Sequence, residues 1–160
     1  MESIFKIIIG GDFVSSSMGE NIFAEIHIET HGISFPDNQW TDFVETILGT
    51  WLYNLLDVKN KENIEFTLFF MDGPFWLDVY KDHQMNLSVR CVNNRYDEEV
   101  EAVFCCTYVE FLKELHRAFS QFKTYLYKKK KVEVRYESAY KQAILSLHSI
   151  SDTIKELGAE

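Results

Sequence analysis

Between residues 64 and 107, four segments of strand character follow one another with no helical period between them. They are 64–72 (Ile-Glu-Phe-Thr-Leu-Phe-Phe-Met-Asp), 75–81, 85–92 and 99–107. The breaks between them are turn signals: Asp72-Gly73-Pro74, Asp82-His83-Gln84 and Asn93 through Asp97. Two more strands come first. Residues 4–9 are rich in β-branched side chains. Residues 22–30 alternate, with Ile22, Ala24, Ile26 and Ile28 on one face and Phe23, Glu25, His27 and Glu29 on a wet one. The loop between these two strands makes them an antiparallel pair. Strands that cluster in this way, instead of alternating with helices, predict an α+β fold. The expected architecture is one antiparallel sheet of about six strands, free to curve strongly, packed with three helices in the order ββαββββαα over a single domain of residues 1–160.

Three segments carry the helical period. In 38–57, Trp40, Phe43, Val44, Ile47, Leu48, Trp51, Leu52 and Leu55 form an apolar stripe, and Asp37 or Asn38 is placed to cap the first turn. This stripe is the longest and most aromatic, so its helix is expected at the centre of the core. In 109–127 the stripe is Leu112, Leu115, Phe119, Phe122 and Leu126. In 137–157 it is Tyr140, Ile144, Leu147, Ser151, Ile154 and Leu157, and Gly158 is a fitting stop. Among the strands, Met85, Leu87, Val89 and Cys91 share a face, and Val100, Ala102, Phe104 and Cys106 are expected to point inward together.

The charge is lopsided. The first 64 residues hold ten carboxylates against Lys6, Lys59 and Lys61, a net −7 out of −9 for the whole chain. Such acidity disfavours nucleic acid and suits a basic protein partner. With 46% of its 160 residues apolar and 15% aromatic, the chain can bury a core of its own and still present Tyr and Trp at an interface. No window approaches the ~18 apolar residues of a membrane helix. Met1 through Lys6 lacks the basic and apolar regions of a signal peptide. The cysteines are Cys91, Cys105 and Cys106, an odd count with two adjacent, which argues for reduced thiols and a cytoplasmic setting.

Each pattern with chemical potential meets a plainer account. His27, Glu29 and His31 alternate as a zinc or iron set would, but alternate strand residues stand about 7 Å apart, too far for both imidazoles to share one ion without a bend. Gly10-Gly11-Asp12 with Ser15-Ser16-Ser17 is a glycine-rich loop without the spacing of a phosphate-binding motif, and a hairpin loop accounts for it. Cys105-Cys106 with His116 downstream offers a thiol and an imidazole, yet Cys106 falls on an inward strand face. Trp40, Trp51 and Trp76 could line a ligand pocket. The first two lie on the helix stripe, while Trp76 stands beside the Gly73-Pro74 turn, where an interface aromatic would be exposed. Lys128 through Lys131 reads as a solvated helix end. No metal, nucleotide or other cofactor is expected, and no catalytic motif is found.

The segment Phe35-Pro36-Asp37-Asn38-Gln39-Trp40-Thr41-Asp42-Phe43, the aromatic helix after it, and Phe70-Met71-Asp72-Gly73-Pro74-Phe75 resemble stretches in the immunity proteins of bacterial polymorphic-toxin systems. The likeness covers about a third of the chain. It implies a small, acidic, cytoplasmic protein that binds and occludes a cognate toxin domain without catalysis. The class varies in its binding residues, so the likeness carries no functional residue over. The charge pattern supplies the candidates: Glu25 and Glu29 on the wet strand face, the acidic run Asp97, Glu98, Glu99 and Glu101, and the aromatic Trp76. An enzyme or small-ligand binder with an aromatic pocket is the first alternative, and a structural adaptor or homodimer is the second.

Overall fold

The computed structural model describes residues 4–15, 21–129 and 134–158. Among them are nine strands and three helices in an α+β arrangement. In chain order they are β1 (Phe5–Ile9), β2 (Val14–Ser15), β3 (Ile22–Thr30), β4 (Ile33–Phe35), β5 (Thr41–Phe43), α1 (Val44–Asp57), β6 (Ile64–Phe69), β7 (Phe75–Lys81), β8 (Asn86–Asn93), β9 (Glu99–Thr107), α2 (Tyr108–Lys129) and α3 (Val134–Glu156). The six long strands stand where the sequence places them. They form two antiparallel sheets instead of one, and three short strands are added.

The first sheet is built on β3. Its register pairs Ile28 with both Ile7 and Phe35, and Phe23 with both Val14 and Phe43. Each edge of β3 is therefore lined by a broken strand, β1 and β2 on one side and β4 and β5 on the other. Gly10 carries the first break: a Cβ there would lie 2.8 Å from that of Glu25, so only glycine lets the two backbones stay this close. The second sheet is the meander β6-β7-β8-β9.

Helix α1 packs on β3 and β6, α2 lies along β1 and β9, and α3 covers α2. The inner faces of both sheets meet α1 and α2 in one apolar cluster. Trp51 is fully buried there, its Nε1 donating to the Phe69 carbonyl at 2.8 Å. The stripe expected on α2 is buried throughout. Gly158 ends α3 at φ +73°, its amide donating to the Lys155 carbonyl.

Three expectations are corrected. Helix α1 begins at Val44, not near residue 38, because Thr41 to Phe43 pair with Phe23 to Glu25 as β5. Asp37 and Asn38 make a turn, and Trp40 lies before β5 with its ring edge-on to Phe75. On α3 Leu147 and Ile154 of the expected stripe are buried, but Tyr140, Ile144, Ser151 and Leu157 are only partly so, and the buried face runs through Tyr136, Ala139, Ala143, Ser146 and Ile150, so small residues set the close approach to α2. In β9, Val100 points outward. A bulge at Cys91/Val92 leaves Val92 opposite Val100 and Glu101 without a partner, which reverses the alternation beyond it.

Candidate functional site

The inner face of the meander belongs to the core, through Leu68, Phe75, Leu77, Val79, Leu87, Val89, Cys91, Ala102, Phe104 and Cys106. No helix packs on its outer face among the described residues. The register sets the rows there. Phe69, Trp76, Val92 and Val100 align across the four strands, then Thr67, Asp78, Arg90 and Val103, then Glu65, Tyr80, Ser88 and Cys105.

The first row is apolar. Phe69 and Trp76 face each other with ring centroids 6.3 Å apart. Val92 is 0% exposed yet lies outside the main core cluster, covered from the outer side of the sheet. Phe69, Val100 and Val103 remain open to solvent, and Trp76 is half-buried. The bulge makes this patch, since regular alternation would put Glu101 in the row and bury Val100.

Carboxylates lie on two sides of the patch. Glu65 and Asp78 lie on the same face, and Asp97, Glu98, Glu99 and Glu101 are exposed at its β8–β9 end. The turn that carries Asp97 and Glu98 is tied down. The Asn94 amide donates to the Pro74 carbonyl at 2.9 Å, the Arg95 amide donates to Asn93 Oδ1, and the Arg95 guanidinium lies 5.4 Å from the Phe75 ring centroid. Arg90, with its guanidinium 3.3 Å from Asp78, is the cation among the three rows. Trp76 and the acidic run thus lie at the same end of the meander.

Glu25 and Glu29 stand elsewhere, on the outer face of the first sheet. That face is not wet throughout, as alternation suggested. His27 between them is 2% exposed, with Nε2 3.4 Å from Glu29 and Nδ1 4.0 Å from Glu25. At that distance Nδ1 has no hydrogen-bond partner. Phe23 and Phe43 pack with their ring centroids 4.1 Å apart on the same face.

The chemical patterns disperse. His31 lies in the turn after β3 at φ +49°, and among the described residues no three of His, Cys, Asp and Glu assemble as a metal ligand set. Gly11 packs against Tyr125, where a Cβ would come within 3.2 Å of the ring, and residues 16–20 of that loop lie outside the described residues. Burial pushes the Cys106 thiol up to about 12, with Glu110 and Cys105 adding to the effect, so it stays a thiol at neutral pH. Burial and Lys123 lower the pKa of His116. Trp51 is packed against Phe70 and Trp40 against Phe75 inside the core, while Trp76 is on the opposite face of β7, so the three indoles share no pocket. Lys128 is exposed and Lys129 reaches the Phe13 ring at 5.8 Å, whereas Lys130 and Lys131 lie outside the described residues.

Sequence reasoning missed the outward Val92, Val100 and Val103 and the carboxylates Glu65 and Asp78. The polar residues alternating along β7 and β8 carried a signal for the face. The bulge carried none. No described helix is long and apolar enough to cross a membrane. Comparison with known protein families, with curated proteins and with solved structures found no match.

Proposed function

We propose that this chain is an inhibitor of the immunity type, which docks a basic toxin domain in the cytoplasm and occludes it without turnover. The docking surface is the outer face of β6–β9. One observation carries this reading: an apolar row across four strands, with Val92 buried within it, sits on the uncovered side of a sheet, with Asp78 in the next row and the acidic run at the β8–β9 end. A desolvated aromatic and aliphatic centre inside a polar rim is the anatomy of a protein interface. The rim is acidic, so a basic surface complements it and a like-charged one is repelled. The buried, protonated thiols and the dispersed histidines favour binding over catalysis.

The test is affinity capture from the native host with the intact chain, repeated with Trp76→Ala and Val103→Lys. The expected partner is basic, retained by the wild type, lost with both variants, and toxic when produced without this chain. A partner held equally by both variants, or one harmless alone, overturns the proposal.

A further inference from the structure

The outer face also holds a trough of about 420 Å³, lined by Glu65, Thr67, Asp78, Tyr80, Ser88 and Arg90. Its floor is low because Thr67 and Ser88 are small. Asp78 stands between Trp76 and Tyr80 on β7, two residues from each, so all three side chains rise from one face. Tyr80 is 39% exposed and its hydroxyl is held by Asn63 Oδ1 at 3.1 Å. The Arg90 guanidinium lies against Asp78 at 3.3 Å.

We infer that this trough takes an arginine side chain of the partner, with its guanidinium on Asp78 against the Tyr80 ring and Glu65 at the far side. The inference rests on the docking reading above and names what that face recognises. A guanidinium is planar, presents paired N–H donors to a carboxylate and stacks on aromatic faces, whereas an ammonium does neither. The Tyr80 ring beside the Asp78 carboxylate favours the first. Arg90 occupies Asp78 in the free protein and yields it when a partner's arginine arrives. Arg90 is therefore a competitor, and its removal strengthens binding.

The experiment titrates the ¹⁵N-labelled full chain with two short peptides of equal charge, one carrying three arginines and the other three lysines. Amide shifts confined to β6, β7 and β8, with the arginine peptide preferred by at least about fivefold, support the assignment. Asp78→Asn should weaken the arginine peptide, Thr67→Lys should fill the trough and abolish binding, and Arg90→Ala should tighten it. Asp152→Asn on α3 is the charge-matched control and should change nothing. Thermal melts of each variant confirm folding. Equal binding of both peptides on this face, or weaker binding by Arg90→Ala, overturns the arginine assignment and leaves the docking face standing. Shifts that map instead to Glu25 and Glu29 overturn both.

Discussion

The buried carboxylate of Glu114 on α2 accepts a hydrogen bond from the backbone amide of Ile7 on β1 at 2.9 Å. One turn on, Arg117 donates to the Ile7 carbonyl and also grips Glu114. The two side chains supply the donor and acceptor that a neighbouring strand would offer to the open edge of β1. Glu114→Ala should cost about 2–3 kcal/mol, because it leaves the Ile7 amide without an acceptor and Arg117 without its carboxylate. Glu114→Gln keeps an acceptor and should lose less. Urea melts give both values, and a loss below about 0.5 kcal/mol for the alanine variant would mean that water replaces the clamp.

Asp42 is fully buried on β5, and four donors converge on it: Trp40 Nε1, the Phe43 amide and the amides of Met71 and Asp72. It joins the first sheet to the β6–β7 turn of the second. Asp42→Ala leaves all four unpaired and should lower stability by at least about 3 kcal/mol. Trp40 fluorescence should move to longer wavelength as its ring loosens from Phe75.

Trp51→Ala should cost about 3–5 kcal/mol, since the ring is enclosed and fills the centre of the core. Trp51→Phe keeps most of the volume and gives up the bond to the Phe69 carbonyl. Denaturant melts separate the two contributions. A loss under about 1 kcal/mol for the alanine variant contradicts the packing described.

Alkaline pH should unfold the protein through its buried thiols. Burial pushes Cys91, near Glu101, and Cys106 from 9.0 to about 12, and raises Tyr108 as well. The folded state holds these protons more tightly than the unfolded one. Stability is therefore complete below pH 9, and it falls as pH rises from there toward 12. Urea midpoints at pH 8, 9 and 10 should decline in sequence, and the slope should ease in Cys91→Ala. Exposed Cys105 should react first with a thiol reagent, and Cys105→Ser should remove that fast phase.

Binding to the captured partner should be sensitive to salt. Raising ionic strength from 0.1 M to 1 M shortens the screening length from about 10 Å to about 3 Å, and the association rate should fall with it. Reversal of Glu98 and Glu99 to lysine should slow association chiefly, as rim charges do, and leave folding intact. Stopped-flow rates that ignore both salt and the reversal would reduce the acidity to a solubility feature.

Much of this fold was legible because its long elements obey one period each. The α2 stripe of Leu112, Leu115, Phe119, Phe122 and Leu126 is buried in full. The strands missed are two or three residues long, too short to display a period, and β5 hid inside an apparent helix because Phe43 and Val44 suit either state. On α3 the eye follows bulk to Tyr140 and Ile144, while Ala139 and Ala143 make the contact because smallness brings helices close. The candidate face was half visible. Trp76 and the acidic run could be named from the sequence, but their neighbours across the strands depend on register, which no local signal prints.

The bulge in β9 has a consequence for how such a protein can change. Val100 faces outward because the chain carries one residue more than its partner strand at this point. One further residue in β8 between Cys91 and Val92 would give Glu101 a partner, restore strict alternation and turn Val92 and Val100 inward, erasing the apolar row without a single substitution at it. Insertions and deletions beside β9, more than point replacements, are thus the step by which this face would acquire a new partner or lose the old one.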